Sequence, residues 1–322
     1  MKAYVYGASG AAITEVAKPS PKGTQVLVRV RACGLNRADL GMTKGHVHGS
    51  AGGAGTVLGM EWAGEIAEVG PDARGVKVGD KVMGSGSAAF AEYTLADHGR
   101  LFRTPSNMNF EEACTLPIAL STMHNAVVTV GALQPGQAVL IQGASSSVGL
   151  MALQIAKLKG ARLVIGSSTD ATRRGRLKEF GADLAVDSSD PGWVDQVLQA
   201  TGGEGVDLIV DQISGKVASQ NLKATKIKGR IVNVGRLGGT HADFNFDLHA
   251  ARRINYIGVT FRTRTIEEIR EIFDEVRKDI WPAVESRKLQ LPIDKVFAFD
   301  DIGKAFEHME ANKHLGKIVV TL

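Results

Sequence analysis

Ala138-Val139-Leu140-Ile141-Gln142-Gly143-Ala144-Ser145-Ser146-Ser147-Val148-Gly149-Leu150 reads as a buried strand, a glycine turn and the start of a helix. Apolar residues run without a break toward Gly143. Beyond the turn, Val148, Met151, Ile155 and Leu158 fall on one helical face. A helix start offers N–H groups that no helix carbonyl accepts, and its dipole attracts phosphate. Gly143 and Gly149 bracket the turn, with Ser146 midway where a dinucleotide fingerprint carries a glycine. The serine adds a Cβ on the phosphate's approach, but its hydroxyl is a candidate donor. Gly143, Ser145, Ser146, Ser147, Val148 and Gly149 are therefore the expected cofactor cradle. A turn shaped only by packing is the alternative.

Further strand signals follow at 162–165, 184–186, 206–210, 230–234 and 255–259, with helical stretches between them. Such alternation predicts a doubly wound parallel sheet covered on both faces. The second strand ends Gly166-Ser167-Ser168-Thr169-Asp170, and Arg173 and Arg174 come next. A site specific for NAD places a carboxylate on the ribose hydroxyls there. Hydroxyls with a guanidinium suit a 2′-phosphate instead. NADPH is the expected cofactor, on Ser167, Ser168 and Arg173. Asp170 on the ribose would keep NADH open, and Asp170 as a helix N-cap is the structural alternative. Gly235, after the fifth strand, is expected to let the backbone approach the nicotinamide ribose.

Residues 1 to about 120 carry short alternating segments broken by glycine, at 25–31, 65–70 and 80–84. They predict an irregular, mainly β domain. The tail opens with a charged helix from Ile266 to about Lys278 and closes with a strand over 317–320. A chain of 322 residues suggests about two domains. Apolar residues at 44% and charged residues at 22% exclude a mostly disordered chain. Lys and Arg number 38 against 34 Asp and Glu, scattered without a basic block, so no nucleic-acid arm is expected. Two cysteines, Cys33 and Cys114, exclude a disulfide scaffold and a four-cysteine zinc site. No apolar run approaches the ~18 residues that span a membrane. The first residues alternate like a strand rather than a signal peptide. A soluble cytoplasmic protein is expected.

Three further segments carry a family resemblance: Ala32-Cys33-Gly34-Leu35-Asn36-Arg37-Ala38-Asp39, Val57-Leu58-Gly59-Met60-Glu61-Trp62-Ala63-Gly64 and Val78-Gly79-Asp80-Lys81-Val82. With Ala91-Glu92-Tyr93, the glycine turn, Gly181-Ala182-Asp183 and Gly316-Lys317, the chain resembles the zinc-free quinone oxidoreductase branch of the medium-chain dehydrogenase/reductases. The resemblance implies a GroES-like β-rich catalytic domain over 1–121 and 262–322. It implies a Rossmann domain over 122–261, an active cleft at their junction, and a homodimer. Zinc-dependent relatives place a Cys near Asn36, a His at Met60 and a third ligand near Ile118. None of these three is a usual zinc ligand, so no metal is expected.

Without a Lewis acid, hydrogen bonds must activate the acceptor. Quinones and alkenes conjugated to a carbonyl suit such a site. The resemblance places Asn36 and Thr122 by the nicotinamide and substrate, and Lys317 near the cofactor. A turn-stabilising Asn36, a capping Thr122 and a solvent-facing Lys317 are the alternatives. Relatives carry a tyrosine after the glycine matching Gly45. Here His46 or His48 stands in that loop as a candidate donor, or simply exposed. Phe261 is expected to wall the nicotinamide pocket or to pack in the core. Two other functions remain open: reduction of alkene acids or enoyl thioesters, with Arg262 on an acidic group, and NADPH binding with little turnover.

Overall fold

The structure, a computed structural model, describes residues 1–49 and 51–322. It has two compact units, Thr122–Thr260 and the combination of Met1–Ser121 with Phe261–Leu322. Phe261, expected to end the dinucleotide-binding part, belongs to the other unit.

Thr122–Thr260 is a doubly wound α/β unit. Its elements are β1 (Ala138–Gln142), α1 (Ser147–Leu158), β2 (Leu163–Ser167), α2 (Ala171–Gly175), β3 (Leu184–Val186), α3 (Trp193–Ala200), β4 (Val206–Asp211), α4 (Ala218–Ala224), β5 (Thr225–Asn233), α5 (Phe246–Arg252) and β6 (Asn255–Gly258). The sheet order is β3-β2-β1-β4-β5-β6, and every pair is parallel. Central β1 is buried along its whole length, as expected for a strand covered on both faces. Ala138, Leu140, Ile165, Ile209 and Ile231 pack in one cluster with Trp193 of α3. Strand order reverses between β1 and β4, the position at which such sheets bind ligands beyond their carboxyl ends. The helix expected to run to Gly181 is interrupted: α2 ends at Gly175, and a 3-10 turn, Leu177–Phe180, leads to Gly181 at φ 99°.

In the other unit, the strand Gln25–Gly34 pairs antiparallel with Glu61–Val69, Tyr93–Asp97 and Lys317–Thr321. Lys317–Thr321 continues in parallel to Ile293–Ala298. Residues from both ends of the chain thus complete one sheet. Val28, Val30, Trp62, Ile66, Ile318 and Val320 share its core. The register sets Gly34 opposite both Glu61 and Val319. That alignment brings Asn36, Glu61 and Lys317 together. Among the described residues, no helix is long and apolar enough to cross a membrane.

Candidate functional site

The glycine turn between β1 and α1 has the form of an anion cradle. Gly143 adopts φ +71°, and a Cβ there would stand 2.9 Å from Ile213 Cδ1. Ser146 is the N-cap of α1: its Oγ accepts from Gly149 N at 3.1 Å. The same hydroxyl lies 2.9 Å from both Gly143 O and Gln212 Oε1. Ser146 therefore caps the helix, whereas the sequence suggested a phosphate donor. Gly149 is required by packing, since a Cβ would come within 2.6 Å of Ala144 Cα. Among the described residues, the amides of Ser147 and Val148 begin the helix without an acceptor, as a bound phosphate requires.

Beneath the turn lies a buried hydrogen-bonded chain. Gly143 N is 3.0 Å from Ser167 Oγ, and Ser167 Oγ is 2.6 Å from Gln142 Oε1. Gln142 meets Asn221 at 2.8 Å, and Asn221 meets Asp211 at 2.9 Å. Burial pushes the Asp211 carboxyl up, while the N–H groups of Ser214 and Ile213 and the Asn221 amide pull it back. Ser167 is fully buried in this chain. It supports the turn from below, a correction to its expected place on a 2′-phosphate.

Ser168 is nearly buried, and its hydroxyl meets Ser145 Oγ at 3.0 Å. Asp170 caps α2, accepting from Arg173 N at 2.8 Å. Arg174 is held by Ser168 O and Asp187. Arg173 differs: its buried Nε has no hydrogen-bond partner among the described residues and makes only a long ion pair, 3.6 Å, with Asp170 Oδ1. A guanidinium nitrogen held only by so long a pair suits an anionic ligand. Gly235 is also needed for packing within the protein. A Cβ there would stand 2.5 Å from Gln212 O, so the protein backbone already requires a glycine.

The second constellation belongs to the β-rich unit and is almost wholly buried. Lys317, Glu61 and Asp39 are each 0–1% exposed. The Lys317 ammonium pairs with Glu61 Oε1 and donates to Asn36 Oδ1 at 2.9 Å. Asn36 Nδ2 donates to Glu61 Oε1 at 3.0 Å, and Ile118 N donates to Glu61 Oε2 at 3.1 Å. Gly34 makes room, since a Cβ would lie 2.8 Å from Glu61 Oε1. Burial pushes the Glu61 carboxyl up; Lys317, Ile118 N–H and Asn36 draw it down. Asn36 also caps the helix Arg37–Met42, its N–H donating to Asp39 Oδ2 at 2.8 Å. Asp39 Oδ1 has no hydrogen-bond partner among the described residues. Burial and the Glu61 charge raise the Asp39 carboxyl to about 7, against the pull of Asn36 and Lys317.

The expected place of Lys317 is beside the cofactor; its ammonium instead serves Glu61 and Asn36. Sequence reasoning assigns no role to Asp39 or Glu61. The Asn36-x-x-Asp39 spacing of a capping box was the available signal for Asp39. Thr122 lies within the helix Pro117–His124, not at its cap, and is half-buried. His46 is exposed on the loop after Arg37–Met42. Phe261 is half-buried at a bend. Cys33 and Cys114 are buried free thiols. Among the described residues, no group of three or more His, Cys, Asp or Glu could hold a metal ion.

A nucleotide cradle beyond a parallel sheet, in a chain that also carries a separate β-rich unit, is the build of a nicotinamide-dependent dehydrogenase or reductase. Comparison with known proteins agrees. The alcohol dehydrogenase GroES-like domain model matches residues 22–106, and the zinc-binding dehydrogenase model matches residues 147–278. Quinone oxidoreductase-like protein 2 of Mus musculus is 30% identical over 312 residues, covering 96% of this chain and 88% of that protein. A component of the phenolphthiocerol/phthiocerol polyketide synthase of Mycobacterium tuberculosis is also 30% identical over 96% of the chain, which spans only 14% of that protein's length. The structure of the CurK enoyl reductase superposes with a TM-score of 0.87 at 25% identity, covering 99% of each chain. The chain belongs to the medium-chain dehydrogenase/reductase family, in its quinone oxidoreductase branch. Membership of that family implies a nicotinamide-dependent oxidoreductase.

Proposed function

We propose that the protein is an NADPH-dependent reductase of quinones or α,β-unsaturated carbonyls that works without a metal ion. The observation that carries this reading is the constellation around Asn36. It combines a fixed cation, Lys317, with amide donors, while Asn36, Met60 and Ile118 offer no usual zinc ligand. When bound, the cofactor supplies a hydride. The Ser147 and Val148 amides would hold its pyrophosphate, and Arg173 its 2′-phosphate. Asn36 would hold the acceptor's carbonyl oxygen as negative charge develops there.

NADPH oxidation against quinones, enals, enones and acrylates, with NADH in parallel, tests the reading. Turnover on quinones or enones with NADPH is expected. Arg173→Ala should weaken NADPH at least tenfold and leave NADH nearly unchanged. Equal losses would remove the 2′-phosphate assignment, and tight NADPH binding without turnover on any acceptor would make this a binding protein. One zinc per chain in chelator-free protein would overturn the metal-free reading.

A second reading, reduction of an enoyl thioester, is favoured by the likeness to an enoyl reductase and to a polyketide synthase. An enoyl-CoA in the same panel separates the two. The homodimer is proposed on the edge strand β6 and the neighbouring start of α5, where Tyr256 and Phe246 are exposed. Sedimentation at twice the chain mass is the expected result.

A further inference from the structure

We propose that Lys317 and Glu61 are positioning residues that polarise Asn36 and fix which of its N–H bonds meets the acceptor's carbonyl oxygen. This rests on the reductase reading above and adds residues that do not themselves touch the substrate. An ammonium only donates, so the Asn36 atom facing Lys317 is its carbonyl oxygen, and the carboxamide has one orientation. One Nδ2 hydrogen is then taken by Glu61 Oε1 at 3.0 Å. The other faces Gly34 O at 3.4 Å, beyond the usual range of an N–H···O bond. Asn36 is half-buried while its three polar neighbours Glu61, Lys317 and Asp39 are fully buried. Its second N–H, with this long contact beside the pull of the Asp39 carboxyl, is a polar hydrogen the cluster can offer to a ligand.

Lys317 strengthens that donor. A charge-assisted bond at Oδ1 draws electron density from the amide nitrogen and makes its hydrogens better donors. Nearby hydrogen-bond partners reduce the freedom of the carboxamide before any ligand arrives, which favours an oxygen acquiring charge over a neutral carbonyl. The backbone bond from Leu35 N to Ile318 O, 3.0 Å long, holds the two strands in register. Glu61 compensates the buried ammonium, without which the charge would be untenable.

The test compares Asn36→Ala, the neutral double variant E61Q/K317M, and all three changes combined, using the fastest acceptor of the panel. The double variant removes both charges, so a purely structural ion pair would be replaced without loss of turnover. The expected result is a kcat about a hundredfold lower for Asn36→Ala. A loss of at least tenfold is expected for E61Q/K317M, with NADPH affinity within twofold of the parent. The triple variant should be no slower than Asn36→Ala, because Lys317 acts through Asn36. Full kcat in E61Q/K317M, with Asn36→Ala still slow, overturns the proposal and leaves the Asn36 reading standing. Unchanged kcat in Asn36→Ala, or no acceptor at all, removes that reading and the proposal with it.

Should E61Q/K317M fail to fold, the parent protein labelled with 15N-asparagine decides. One side-chain proton of the resonance pair absent from Asn36→Ala should move when 2-cyclohexenone is added with NADP+. No movement at saturating probe overturns the proposal.

Discussion

Asp39→Asn should change the pH dependence of stability in a direction fixed by where Asp39 sits. Its carboxyl is fully buried, with Oδ2 on Asn36 N and, among the described residues, no hydrogen-bond partner for Oδ1. Burial comes first in raising it to about 7, the Glu61 charge adds to this, and Asn36 and Lys317 oppose it. Unfolded, the same carboxyl titrates near 4. Between these values the folded chain keeps a proton that the unfolded chain releases. Stability from this group is therefore complete below about pH 4 and declines as pH rises toward 7. The slope is about 1.4 kcal/mol per pH unit and the total about 4 kcal/mol. Asparagine at 39 keeps the shape and an acceptor for Asn36 N–H, but does not titrate in this range. Urea unfolding at 25 °C from pH 4.5 to 8.5 should show the parent losing stability relative to the variant, levelling off above about pH 7.5. A difference that stays flat with pH would refute the account, because Asp39 would then keep the same charge folded and unfolded.

Two further outcomes follow from packing and charge. Gly149→Ala puts a Cβ 2.6 Å from Ala144 Cα and from Gly143 O; the turn must open, and calorimetry should show weaker NADPH binding in the variant. Burial raises the Asp97 carboxyl, but the Arg270 guanidinium, Thr24 and Gly99 N–H outweigh it and hold Asp97 at about 2. That stability is present above about pH 4 and is lost as pH falls toward 2. Arg270→Met should remove an acid-side step of about 1 kcal/mol, allowing for solvent screening, as read from thermal melts between pH 2 and 5.

The parallel sheet was legible because each of its strands carries its own signal. Apolar runs such as Val139-Leu140-Ile141 need no distant partner to be recognised. The glycine turn was legible for the same reason, through local spacing. What escaped was the use made of each polar side chain. Ser146, Ser167 and Lys317 looked available because a sequence lists donors but not the acceptors folding brings to them. Ser167 meets Gln142 across neighbouring strands, and Lys317 meets Glu61 across 256 positions. Both pairings follow from sheet register, which no short window contains. Arg173 and Arg174 stand side by side in the sequence, yet only Arg174 finds Asp187. Asp39 was concealed as one more helix-start residue.

The chain beneath the glycine turn has a polarity. Gly143 N–H donates to Ser167, Ser167 to Gln142, Gln142 to Asn221, and Asn221 to the Asp211 carboxylate. A backbone amide at one end can only give, and the Asp211 oxygens at the other take, facing the N–H groups of Ile213, Ser214 and Asn221. The sequence of bonds therefore has no reversed counterpart of equal energy, and neither carboxamide can flip alone. An isosteric change such as Asn221→Asp sets acceptor against acceptor, and the mismatch has to be absorbed by a break somewhere along the line. The cradle at Gly143 is thus aimed, through four successive handshakes, by a carboxylate on β4 that it never touches.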